Sequence, residues 1–248
     1  MSDKEIGGNA KAFRAALGPK LASNVQVVVA AHAAKLDDAY ARLTTLQAWR
    51  SYVLESHLPP ASLGFYSEAQ NDGLTSIVLV AGGLWRPAMK SLRSLLENVL
   101  HCLYYMDHPV EYRHWESGKH RPSFQKLFEY FDAHPDITGL PESLKPIPDI
   151  KKHYGLLSDI VHASAREVRM TDDINQTNIW KTTSASLGQW STMQKNIVRE
   201  ANLLILTLLK AHLQGAANKG LREALALSIP SGKDTAIRAN LGVRIIRS

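Results

Sequence analysis

The stretch Trp85-Arg86-Pro87-Ala88-Met89-Lys90-Ser91-Leu92-Arg93-Ser94-Leu95-Leu96-Glu97-Asn98-Val99-Leu100-His101-Cys102-Leu103-Tyr104-Tyr105-Met106-Asp107 decides how this chain folds. Its polar residues Arg86, Lys90, Arg93, Glu97 and His101 recur at steps of 4, 3, 4 and 4. That period puts all five on one narrow face of a helix, with Leu84, Ala88, Leu92, Leu95, Leu96 and Val99 around them. Pro87 falls in the first turn, where its missing N–H is no loss, and the His108-Pro109 pair ends the run. The spacing predicts a helix over 84–107, apolar around most of its circumference and so destined for the middle of an all-helical core.

The same period extends outward in both directions, while alternation of the strand kind is scarce. Helices are expected at 9–17, 22–56, 61–81, 110–116, 123–134, 149–168, 186–213 and 219–227. Pro59-Pro60 separates the second from the third, and Gly82-Gly83 marks a break or a tight packing point before the decisive helix. Residues 171–186, dense in Thr, Asn, Asp and Ser, read as a surface loop. The fold class is all-α, a bundle of long up-and-down helices with shorter ones in the middle. Residues 1–213 form one bundle domain in this reading, and 214–248 a C-terminal helix and basic tail.

Composition narrows the function classes. Of 248 residues, 45% are hydrophobic and 21% charged, which supports a sizeable core. The single cysteine, Cys102, excludes an intramolecular disulfide and sits in an apolar run, where a core thiol is expected rather than a nucleophile. Met1-Ser2-Asp3-Lys4-Glu5 has no basic and apolar leader, and no apolar stretch approaches a bilayer span, so a cytoplasmic protein without a membrane partner is expected. The net charge is +6, and most of it lies in 210–248, where seven basic residues face only Glu223 and Asp234. Arg238, Arg244 and Arg247 are there the candidates for contact with nucleic acid, a solvated terminus being the plainer alternative.

No motif of high specificity marks an active site. HExxH, a Cys cluster, a P-loop ending and a G-x-S-x-G elbow are all missing from the sequence, and nothing in it implies a metal or another cofactor. What stands out is a second polar ladder, Tyr154, Ser158, His162 and Arg166, at steps of 4 on one face of the helix expected over 149–168. If the two ladders pack together, Arg93, Glu97, Tyr154 and His162 meet and form the candidate catalytic group. His162 would be its proton-transfer residue and Glu97 the partner of a buried Arg93. A purely structural polar seam is the alternative.

Three strings carry a family resemblance: the segment from Ala81 to Glu97, then Trp115-Glu116-Ser117-Gly118, and Tyr154-Gly155-Leu156-Leu157-Ser158-Asp159-Ile160-Val161-His162. Over roughly residues 60–165 the chain resembles uncharacterised bacterial helical proteins similar to the HEPN-like superfamily. The resemblance implies a helical bundle, often dimeric. It also implies an RNA-directed, metal-independent endoribonuclease acting in antiphage defence, in which an Arg and a His with four to six residues between them handle charge during 2′-OH attack. Arg50…His57 and Arg113…His120 both have six residues between them, a spacing that this content of Arg and His also supplies by chance. The other reading is a non-catalytic module that works by homo-oligomerising or by binding a protein partner.

Overall fold

The computed structural model describes residues 2–119, 121–162, 171–173, 176–177 and 183–247, with side chains omitted at 162, 171–173 and 176–177. It is all-α apart from a two-stranded antiparallel ribbon, Thr171–Asp173 with Gln176–Thr177, inside the expected loop. His120 lies outside the described residues. So do the side chain of His162, all of Arg166 and the last residues of the helix expected to reach 168.

Helix α1 (Asp3–Trp49) joins two expected helices into one. Pro19 inside it removes one N–H without ending it, and the bend falls instead at His32, whose φ of −138° and ψ of 24° are non-helical. A capping box starts it: the Ser2 hydroxyl accepts from Glu5 N, and Glu5 accepts from Ser2 N at 2.6 Å. Its end runs into a π-helical turn, Arg50–Leu54, and a short α2 (Glu55–His57) before Pro59-Pro60 stops the chain.

Helix α3 (Pro60–Ala81) and α4 (Trp85–Asp107) form the central hairpin. Gly83, at φ 83°, supplies the left-handed residue between them. Gly83 N donates to Val80 O and Leu84 N to Leu79 O, the paired bonds of a Schellman ending, so the glycine pair acts as a C-cap. Short helices follow: α5 (Pro109–Glu116), α6 (Phe124–Ala133), capped by the Ser123 hydroxyl, and α7 (Pro135–Thr138). Then come α8 (Ile147–His162) and the long α9 (Ser184–Leu209), the latter packed on α4, α1 and α8.

The C-terminal segment corrects the expectation of a solvated tail. After α10 (Lys219–Ala224) and α11 (Asp234–Leu241), the side chains of Leu221, Leu225, Ile229, Ile237, Leu241, Val243 and Ile245 join the same buried cluster as α4 and α9. Arg247 ties this end down. Its Nε and Nη2 clasp the two oxygens of Asp234 at 2.7 Å each, and its Nη groups also donate to Ala226 O and Ile229 O. Alternating buried and exposed residues over 241–245 leave Arg244 outside an ordered strip, and Arg238 is exposed on α11. Among the described residues no helix is long and apolar enough to cross a membrane.

Candidate functional site

Three of the four residues expected to meet do so. Arg93 Nε donates to Glu97 Oε1 at 2.8 Å and its Nη2 donates to Tyr154 Oη at 2.8 Å. Tyr154 Oη in turn donates to Glu97 Oε1 at 3.2 Å, and the Arg93 guanidinium lies 4.8 Å from the Tyr154 ring centre. The two ladders therefore join across the α4–α8 contact, with Phe124 and Phe128 of α6 packed on the Tyr154 ring. Arg93 and Glu97 each keep 21% of their side chains exposed. Burial raises the Tyr154 pKa, so the phenol stays protonated and serves as a hydrogen-bond relay. The backbone of His162 ends α8, and its side chain lies outside the described residues.

The rest of the first ladder has separate duties. Arg86 donates from Nε to Ile160 O and from Nη2 to Val161 O, satisfying carbonyls at the C-terminal end of α8, where a cation is favoured. His101 is buried. Its Nδ1 donates to Glu97 O at 2.9 Å, and its ring stacks on Phe65 and Tyr105. Burial lowers its pKa and leaves Nε2 without a partner, so it is a neutral core histidine. The Arg50…His57 pair diverges: Arg50 reaches Glu55, Ser67 and Gln70 beside a cleft between α1 and α3, whereas the His57 ring lies tilted against His212, 4.0 Å between centres. Cys102 is fully buried and its thiol is pushed up to about 12 by desolvation, which removes it as a nucleophile.

A different charged cluster lies one residue from Tyr154. His153 on α8 faces Glu200 on α9, with Nδ1 2.8 Å from Oε1, and the Glu200 side chain is only 1% exposed. The N–H is poorly aligned with that oxygen, so the contact is ionic more than directional. Arg199 Nη2 adds a second donor to the same oxygen at 3.1 Å, and Asn196 Nδ2 lies 3.2 Å from His153 Nε2. The Glu200 carboxylate raises the His153 pKa against the opposing effect of burial. His153 and Asn196 also border a cleft of about 720 Å³ between α8 and α9, floored by Met89 and Ile160.

Sequence reasoning missed this cluster, because His153 is one of a scatter of histidines and Glu200, the single carboxylate of α9, has no partner at helical spacing that marks it. It also missed the polar seam between α1 and α9. There Arg42 Nε donates to Gln194 Oε1 at 2.7 Å, Gln194 Nε2 to Ala39 O, and Trp49 Nε1 to Asn202 Oδ1. The available signal was the set Trp190, Gln194 and Asn202, at multiples of four on a face otherwise lined by apolar residues such as Val198 and Leu206. No family model, no curated protein and no solved structure matches this chain.

Proposed function

We propose that this protein is a helical module that acts by self-association, through the first five turns of α1. One observation carries this reading. From Ser2 to Ser23 only Ala16 is even partly buried, so the start of α1 projects from the body as a bare helix. Its outward residues are not those of a solvated helix: Phe13 is 57% and Ile6 47% exposed, and Leu17 and Leu21 are open as well. Ile6, Ala10, Phe13 and Leu17 follow one another at steps of 4, 3 and 4, which makes one continuous stripe. The stripe runs on into Asn24, whose Nδ2 donates to Gly82 O, and into Val28, which is buried. The face that packs on the body further along is thus uncovered at its start. A lone helix of this length is marginal in water, and a bare apolar stripe marks an interaction surface.

A second copy of the arm fits the charge pattern. Laid antiparallel, two copies set Ile6 against Leu17 of the other and Phe13 against its Ala10, a large residue facing a small one at each central layer. The ends then place Asp3 opposite Lys20. A parallel pair would instead bring Lys20 against Lys20 and Asp3 against Asp3, which costs stability. On this reading the Arg93–Glu97–Tyr154 group is a strut that fixes α8 to α4.

Sedimentation velocity over a range of concentrations tests the proposal. The parent chain is expected to sediment as a reversible dimer, and Phe13→Glu as a monomer whose body unfolds like the parent's, since Phe13 is no part of the buried core. A parent that stays monomeric at high concentration, or a Phe13→Glu variant that dimerises equally well, removes it. Incubation with total RNA, with and without chelator, tests the ribonuclease reading that the HEPN-like resemblance implies. Cleavage abolished by Arg93→Ala in a folded protein would favour that reading over the strut.

A further inference from the structure

The cleft between α8 and α9 is unequal along its length. At one end stand Lys152, His153 and Asn196, and toward the other Ile160, Gly188 and Gln189. Six to eight helical residues separate the ends, roughly 10 Å at 1.5 Å per residue. Between them the walls are Leu156, Met193 and Thr192 over a floor of Met89. Methionine side chains are flexible and polarisable, which suits a surface that receives apolar groups of varied shape. Gly188 adds room: a Cβ there would meet nothing within 4 Å.

The polar end is built rather than incidental. His153 is almost wholly enclosed, and the buried Glu200 behind it fixes the ring and favours its cationic form. Arg199 shares the Glu200 oxygen, so that carboxylate is already compensated and adds little net repulsion at the cleft. Lys152 is exposed beside it, and the Asn196 side-chain amide, turned so that its oxygen accepts, meets the Nε2–H of a cationic His153. Asp159, the one carboxylate among the described residues of the wall, sits toward the other end and has an interaction of its own. A cavity of several hundred Å³ with an apolar body and a few convergent polar groups is the usual form of a small-molecule site.

We propose that this cleft binds an amphipathic anion, a small molecule with a carboxylate or phosphate head at Lys152, His153 and Asn196 and an unbranched apolar tail along Leu156, Met193, Met89 and Ile160 toward Gly188. The site is independent of the arm of α1, so it stands or falls apart from self-association.

Isothermal titration of the full chain with decanoate, octyl phosphate, decanol and inorganic phosphate tests it, all below micelle-forming concentrations. Decanoate or octyl phosphate is expected to bind saturably, with decanol and inorganic phosphate each at least ~10-fold weaker, about 1.4 kcal/mol. Lys152→Ala should weaken the anions and leave decanol unchanged. Gly188→Leu should fill the tail end and abolish binding while the melting temperature holds, because its new side chain enters open space on a helix. Decanol or inorganic phosphate binding as tightly as the amphiphiles overturns the proposal. So does Gly188→Leu binding like the parent, or the lack of saturable binding by either amphiphile.

Discussion

The contrast between the two charged clusters gives a quantitative expectation. Replacing His153 with Ala leaves the Glu200 carboxylate, 1% exposed, with Arg199 alone. Breaking a buried pair so that a charge is left behind costs about 3–5 kcal/mol, and because Arg199 still reaches Glu200 the loss here lies at the lower end of that range. Arg93→Ala also orphans a carboxylate, but Glu97 is 21% exposed and keeps the Tyr154 hydroxyl as a donor. Water reaches it, so the loss lies between a surface pair and a buried one, together with the lost cation–π contact: about 1–2 kcal/mol. Glu200→Gln should cost less than His153→Ala, because the histidine left behind can shed its proton and Arg199, 21% exposed, keeps access to water, whereas a buried carboxylate that has lost one of its two cationic partners stays costly in either form. Urea unfolding of the three variants at neutral pH, with the slope held against the parent, measures this directly. In a chain of this size 3–5 kcal/mol corresponds to roughly 6–20 °C in melting temperature, at about 2–4 °C per kcal/mol. If Arg93→Ala proves as costly as His153→Ala, or if His153→Ala is neutral, burial is not what separates the two clusters and the reasoning fails.

Two further expectations rest on the same core. Because Glu200 raises the folded-state pKa of His153 above its ordinary 6.5, the stability this pair contributes is fully present below about that pH. It is then lost as pH rises through the raised value. Urea midpoints across that interval should fall with pH in the parent and fall less in Glu200→Gln; equal slopes would contradict the assignment. The Cys102 thiol, buried and pushed up to about 12, should resist a thiol reagent in the native protein and react at once in denaturant, and prompt native labelling would contradict its placement.

Much of the fold was legible because helical period and punctuation agree. Pro59-Pro60, Gly82-Gly83 and His108-Pro109 each end a helix where the residues require it, and the polar steps of the decisive helix pointed to Arg93 and Glu97 meeting Tyr154. The first long helix was misread at Gly18-Pro19. A proline with an exposed, otherwise helical neighbourhood loses one hydrogen bond but need not stop the chain, and the bend at His32 has no sequence mark. The basic tail misled because charge counts ignore pairing. Arg247 is consumed by Asp234 and two carbonyls, and Arg222 is buried with its guanidinium donating to Ala216 O. The His153–Glu200 pair could not be read at all, since it joins residues 47 positions apart whose meeting depends on how α8 lies on α9.

Self-association through the bare start of α1 is most directly tested by cross-linking. The one native cysteine is buried, so cysteines placed on the arm report alone. A short bismaleimide should join the double variant Ile6→Cys, Leu17→Cys into dimers in high yield, and the single variants Ile6→Cys and Leu17→Cys poorly, because antiparallel arms set position 6 beside position 17 of the other copy. Dimers formed equally well by either single variant would mean parallel arms, and no dimers from any of the three would mean that the arms do not meet.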